Sequence, residues 1–180
     1  MEMGYPIDTY CDDLRRCLRK SQSNKAQGRP VSLLHPPAEQ YSAQGPRSLT
    51  DGVGGITNYY HNWLGFFGDT LQATIDLGRV QQVDTLQMDF YCYPLSWIFL
   101  PQSVVAETSR DGLHWHASQP LHLETPQNLA LPSLRTVALP LPQGRARYVR
   151  LTAIPLPEIP EWHRATGNPT WIFTDEIIIK

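Results

Sequence analysis

The stretches Arg147-Tyr148-Val149-Arg150-Leu151 and Trp171-Ile172-Phe173-Thr174-Asp175-Glu176-Ile177-Ile178-Ile179 decide how this chain reads. Both alternate. Val149, Leu151 and Ala153 fall on one face of the first, and Trp171, Phe173, Ile177 and Ile179 on one face of the second, which is the period of half-buried strands. Between them lies a loop rich in rings and charge, with Pro160-Glu161-Trp162-His163 and Gly167. The expected arrangement is a binding loop held between paired terminal strands.

Upstream the same grammar repeats. Among 180 residues, 16 prolines and 12 glycines are spread between short apolar runs rather than pooled in one linker, which argues for strands over helices. Strands are expected over residues 31–34, 71–77, 83–91, 103–109, 135–141, 147–154 and 171–179. In the second, Ala73, Ile75 and Leu77 alternate with Thr74 and Asp76; in the third, Leu86, Met88 and Phe90 alternate with Gln87 and Asp89. One apolar face per strand means two sheets packed face to face, an all-β sandwich. Ser109-Arg110-Asp111-Gly112 is a turn signal that joins strand to strand. Residues 119–133, rich in Pro and Leu without period, read as a surface loop. With 41% hydrophobic residues, a chain of this length fills one core.

Residues 8–20 read as a short amphipathic helix, with Asp8 or Thr9 as N-cap, Asp12 and Asp13 in the first turn, and Arg15, Arg16, Arg19 and Lys20 toward the end. Leu14 and Leu18 share its face with Tyr10 and Cys17. Such a helix is marginal alone. Residues 1–23 are therefore read as a helical or linker segment left from a connection to an upstream domain, and residues 24–180 as the sandwich domain.

Charge and cysteine usage exclude several classes. Net charge is -2, and no Lys/Arg cluster is dense enough to track a phosphate backbone, so nucleic acid is not an expected partner. No stretch approaches the roughly 18 apolar residues of a membrane helix, and no basic region followed by an apolar run marks a signal peptide. No membrane partner is expected, and an extracellular, periplasmic or cell-surface location is expected only as part of a longer exported protein. Cys11 and Cys17 lie six apart on the expected helix, where neighbours sit about three or four apart, and Cys92 lies in a strand, so no disulfide framework is expected. His114 and His116 alternate about Trp115 as solvent-facing strand residues rather than converging on zinc.

Leu49-Thr50-Asp51-Gly52, Trp63-Leu64-Gly65-Phe66, Ile75-Asp76-Leu77-Gly78, Val83, Ser109-Arg110-Asp111-Gly112-Leu113-His114-Trp115 and Arg147-Tyr148-Val149-Arg150-Leu151, in that order, resemble the discoidin domain. This is also called the coagulation factor V/VIII type C domain, and it is similar to carbohydrate-binding module family 32. The match runs from about Asn24 to Lys180. It implies a galactose-binding-like β-sandwich of jelly-roll type that binds ligands at loops at one end. The tail Trp162-His163, Gly167 and Trp171 to Ile177, together with Asn24-Lys25-Ala26 leading into Gly28-Arg29-Pro30-Val31, resembles the branch appended to bacterial family-20 β-N-acetylhexosaminidases. The catalytic barrel of such enzymes is absent from these residues.

A sugar presents one apolar C–H face and a rim of hydroxyls, which suits a flat aromatic platform beside fixed polar groups. Five tryptophans and eight tyrosines supply candidates. Those in loops are Tyr59, Tyr60, His61 and Asn62; Ser96 and Trp97; and Trp162, His163 and Arg164. The candidate carbohydrate-binding residues are Tyr60, His61, Asn62, Trp97, Trp162, His163 and Arg164. Each competes with a structural role: Ile98-Phe99-Leu100 continue an apolar run that can bury Trp97, and a long loop needs a ring such as Trp162 or His163 to anchor it. Trp63 reads as core or loop packing, Trp115 as packing on the sandwich edge, and Trp171 as core beside Phe173.

The resemblance also implies a structural calcium beside the Asp-Gly loop, with Asp51 and Glu176 as ligands and carbonyls of residues 49–57 completing the set. Val53-Gly54-Gly55-Ile56 replace the Asn and Thr or Ser that commonly follow, leaving fewer side-chain oxygens. The competing reading has Asp51 cap a turn and Glu176 accept hydrogen bonds in the same corner. Catalysis needs a nucleophile with a base, or two facing carboxyls. Asp175 and Glu176 are adjacent on a strand and so are expected on opposite faces; Asp111 sits in a turn and Asp69 in a glycine-flanked loop. No catalytic residue is assigned.

Two functions stand first. One is a non-catalytic carbohydrate-binding module for glycans of terminal galactose, GalNAc or GlcNAc type, accessory to a glycoside hydrolase domain. The other is a structural accessory domain that packs on a hexosaminidase barrel without binding sugar. Protein or phospholipid recognition is a third, and the loop rings lack the basic surround that favours anionic lipid.

Overall fold

Ten strands form among residues 13–15, 23–127 and 129–180, which this computed structural model describes: β1 Val31–Leu33, β2 Leu64–Phe67, β3 Leu71–Gln82, β4 Thr85–Cys92, β5 Ser103–Ser109, β6 His116–Ala117, β7 Leu121–His122, β8 Ser133–Pro140, β9 Arg145–Ile154 and β10 Trp171–Ile179. One sheet runs β1-β3-β9-β5-β6, with β7 also on β5, and the other runs β2-β10-β4-β8. Every pairing is antiparallel. The expected all-β sandwich is the fold.

Alternation builds the core. Ala73, Ile75 and Leu77 of β3, Val104 and Ala106 of β5, and Val149, Leu151 and Ala153 of β9 face Leu64, Phe66, Leu86, Met88, Phe90, Val137, Leu139, Ile172, Ile177 and Ile179 of the second sheet. All are buried. Removing the Val, Leu, Ile, Phe and Met side chains among them from water stabilises the fold by roughly 1.5–3 kcal/mol each.

Four expectations change. First, the terminal strands β9 and β10 are not paired, because β9 lies between β3 and β5 and β10 between β2 and β4. The loop between them therefore crosses from one sheet to the other. Second, β10 does not keep one face inward: its register shifts between Thr174 and Ile177, so Ile172, Ile177 and Ile179 point into the core. Trp171 and Phe173 turn outward into a second cluster with Trp63, Tyr91, Ile98, Tyr41, Tyr59 and Tyr93. Third, β3 continues past Leu77. Gly78 adopts φ +83° and donates its N–H to Asp76 Oδ1 at 2.8 Å, and pairing with β9 resumes at Gln81 after a register shift. Glycine absorbs the irregularity at the point where the expected strand ends. Fourth, β2 forms over residues with no strand expected, and β7 forms within residues 119–133, expected as a loop.

Of the helix expected over residues 8–20, only 13–15 lie within the described residues, and these are helical. Cys11 and Cys17 lie outside them. Cys92 is a buried free thiol, pushed up to about 11 by burial. Among the described residues no helix is long and apolar enough to cross a membrane.

Gly65 of β2 lets the outer cluster seat itself. A Cβ there would stand 2.9 Å from both the Phe173 ring and Tyr41 Cβ. Gly65→Ala is expected to lower the free energy of unfolding by about 1–3 kcal/mol through overpacking, read from the urea midpoint; an unchanged midpoint would mean that the rings move aside freely.

Candidate functional site

The second cluster lies on the outer face of the β2-β10-β4-β8 sheet, and its rings meet edge to face. Trp63 and Tyr91 are 5.2 Å apart at 73°, Tyr59 and Phe173 5.7 Å at 88°, and Tyr41 and Trp171 5.2 Å at 88°. Such pairs add about 0.5–1.5 kcal/mol beyond burial. The Trp63 indole closes over Gly55, where a Cβ would lie 2.3 Å from the ring, and Trp63 Nε1 donates to Ile56 O at 2.8 Å.

Loop 57–62 is pinned at both ends. Thr57 donates its N–H and its hydroxyl to the Asp13 carboxylate at 3.0–3.2 Å, and its carbonyl accepts the Tyr91 hydroxyl. Asp13, buried, thereby joins a segment read as linker to the sandwich. Asn58 turns the chain, accepting Tyr60 N–H at its side chain and His61 N–H at its carbonyl. Asn62 takes φ +60°, a conformation Asn tolerates better than most residues. Between these pins Tyr60 lies on Tyr59, centroids 4.5 Å apart and planes 27° from parallel, and is 63% exposed. His61 and Asn62 are exposed beside it.

The second loop meets the first. The Tyr59 hydroxyl reaches Ser96 Oγ at 3.5 Å, and burial holds the Tyr59 phenol above its ordinary pKa. Trp97 sits at φ +64°, half-buried, and its carbonyl accepts the Trp171 N–H at 2.9 Å. The third loop packs on the continuation of the second: Trp162, half-buried, and His163 each lie 6.0 Å from Phe99. His163 is only 2% exposed. Its Nδ1 accepts the Ala165 N–H at 3.0 Å, so the neutral ring carries its proton on Nε2, which is buried without a hydrogen-bond partner among the described residues. Arg164 is exposed. Residues 96–99 thus lie between the Tyr60 loop and the Trp162 loop. Sequence reasoning passed over Tyr41, Phe67 and Asp13 as parts of this surface; only their spatial neighbours identify them.

Asp51, Asp175 and Glu176 meet in a separate corner. Asp51 Oδ1 accepts Val53 N–H at 2.8 Å, and burial holds the Asp51 carboxyl above its ordinary pKa. Asp175 and Glu176 do not diverge as a regular strand requires. At the β10 irregularity both reach one loop, Asp175 Oδ2 accepting Gly55 N–H at 2.8 Å and Glu176 Oε2 accepting Gly52 N–H at 3.1 Å. Glu176 Oε1 accepts Asn24 Nδ2 at 3.2 Å.

No model of a known protein family matches this sequence, and no curated protein matches it. Solved structures share its fold. A chitosan-binding module from the chitosanase/glucanase of Paenibacillus sp. IK-5 superposes with a TM-score of 0.58 at 15% identity, covering 88% of this chain and 99% of that one. CpGH89CBM32-5 from Clostridium perfringens, in complex with GalNAc-β-1,3-galactose, gives 0.55 at 13% identity, covering 87% and 99%. The lectin domain of lectinolysin, complexed with Lewis B antigen, gives 0.53 at 13% identity, covering 89% and 97%. The fold is the galactose-binding-like sandwich of discoidin-like carbohydrate-binding modules.

Asp13 generates a test. Asp13→Ala removes a charged acceptor from Thr57 and is expected to cost about 1–2 kcal/mol of unfolding free energy, measured by urea denaturation. Full retention of stability would show that this contact contributes nothing in solution.

Proposed function

We propose that this chain is a non-catalytic carbohydrate-binding module for glycans of galactose, N-acetylgalactosamine or N-acetylglucosamine type. The exposed Tyr60 ring carries the reading. It is stacked on Tyr59 above a buried aromatic bed, so its free face is held ready for the C–H face of a pyranose. Asn58, His61, Asn62 and the Ser96 hydroxyl place donors and acceptors near it. Trp97 follows Ser96 in its loop, while Trp162 and the buried His163 pack on Phe99 and Arg164 is exposed next to them in sequence. In a longer protein the module keeps a catalytic domain, such as a family-20 β-N-acetylhexosaminidase, near its substrate, and the tether raises effective concentration without adding contacts.

A glycan array followed by calorimetry on the best glycan tests this. Tyr60→Ala is expected to weaken binding about tenfold, the worth of one aromatic stack, with its melting temperature unchanged. Undiminished affinity moves the site elsewhere, and a protein that binds no glycan favours the accessory domain packed on a catalytic barrel.

We further propose that the Asp51–Glu176 corner closes without calcium. Both Glu176 oxygens and one oxygen each of Asp51 and Asp175 accept N–H donors, which compete with a cation seeking hard oxygen ligands for these carboxylates. In this arrangement the residues do not fit the ion. Melting temperature is expected to be the same in EDTA and in millimolar calcium; a rise of several degrees with calcium would show selective binding to the folded state and overturn the idea.

A further inference from the structure

The exposed aromatic surface does not end at Tyr60. Phe67, the last residue of β2, is 40% exposed and lies 4.7 Å from Trp171 with planes 35° apart. Trp171 lies 5.2 Å from Tyr41, and Tyr41 lies 5.8 Å from Tyr60. Four rings therefore form one strip across the outer face of the sheet, with its most exposed members at the two ends. Gly65 permits the strip, since a side chain there would collide with Tyr41, the ring that joins its halves. Each step between centroids is comparable to the length of one pyranose unit. A single sugar on Tyr60 leaves Phe67 uncovered, whereas a chain of sugars extended along the strip covers both.

Resting on the carbohydrate-binding reading above, we propose that this site takes an extended oligosaccharide laid from Tyr60 to Phe67, rather than one terminal sugar capped by a loop. Tyr60 supplies a stack that any occupant uses. Phe67 supplies a distal stack reached only by a chain of several units. The two exposed end rings are the platforms, and Tyr41 and Trp171, edge to face at 88°, fill the span between them, so the strip selects for a chain long enough to present an apolar face to each end, while the polar groups near Tyr60 select the sugar that sits there.

Calorimetry with matched series of one, two, four and six β-linked units of galactose, N-acetylgalactosamine, N-acetylglucosamine and glucosamine tests this on the full chain. In whichever series binds, affinity is expected to rise about tenfold from one unit to four, the return of one further aromatic stack. Phe67→Ala should abolish that rise while leaving affinity for the single unit within twofold. Phe67→Leu, which keeps apolar bulk and removes the ring, should do the same and guards against a folding defect in the alanine variant. Tyr60→Ala should weaken every length alike. Equal affinity for one and six units, or a rise untouched by both Phe67 variants, overturns the extended strip and leaves the module reading standing. Failure of all four series to bind removes both.

Discussion

The irregularity in β10 between Thr174 and Ile177 decides which side chains the second sheet shows to its two faces. In a strand of strict alternation, Ile172 would share a face with Thr174, Glu176 and Ile178, opposite Ile177 and Ile179. No straight strand can bury all three core isoleucines. The extra residue resolves the conflict, sending Ile172 inward before the shift and Ile177 and Ile179 inward after it, while Trp171 and Phe173 turn out. It also places two consecutive carboxylates against one loop. Carboxyl groups buried this deeply are tolerated only with hydrogen-bond partners, so Asp175 and Glu176 hold the N–H groups of Gly55 and Gly52 and tie the loop that follows Asp51 to β10.

From that corner the chain runs directly into the aromatic loop. Gly55 must lack a side chain for Trp63 to close over it, and Trp63 in turn stands against Tyr91, whose hydroxyl holds the Thr57 carbonyl. Burial of a ring is worth roughly twice the edge-to-face preference added to it. The outer cluster is therefore held chiefly by exclusion of water, and ring geometry only selects among buried arrangements. This ordering explains why the cluster's exposed members, Tyr60 and Phe67, sit at its ends: each rests one face on a neighbour and leaves the other free.

Much of this fold was legible because alternation is a direct imprint of a two-sided sheet. β5 and β10 have the bounds that periodicity assigned, and the Ser109 to Gly112 turn precedes β6 as its Asp-Gly signal requires. What failed was whatever alternation cannot encode. β2 carries Leu64, Gly65, Phe66 and Phe67 with the first three buried, so it shows no polar phase to detect. The β10 shift needs a count of residues per partner strand, and the sequence of one strand does not hold that count. The loop rings were visible as candidates, but their partition into platform and anchor depends on neighbours distant in sequence. His163 and Tyr60 look alike as loop residues; one is packed under Phe99 and the other lies open over Tyr59.

The manner in which Tyr60 is held bears on what such a surface can do. Ordering a side chain on binding costs about 0.5–1.5 kcal/mol, comparable to the gain from one sugar stack, so a mobile ring would return almost nothing. Tyrosine has only two side-chain torsions to fix. Here the stack on Tyr59, the turn at Asn58 and the tie from Thr57 to Asp13 restrict the ring and its backbone together. Because Thr57 links that restriction to a residue ahead of the sandwich, the support of this aromatic surface begins at Asp13 and not at the first strand. A boundary drawn at Asn24 would leave the rings in place and remove one of the contacts that keeps them still.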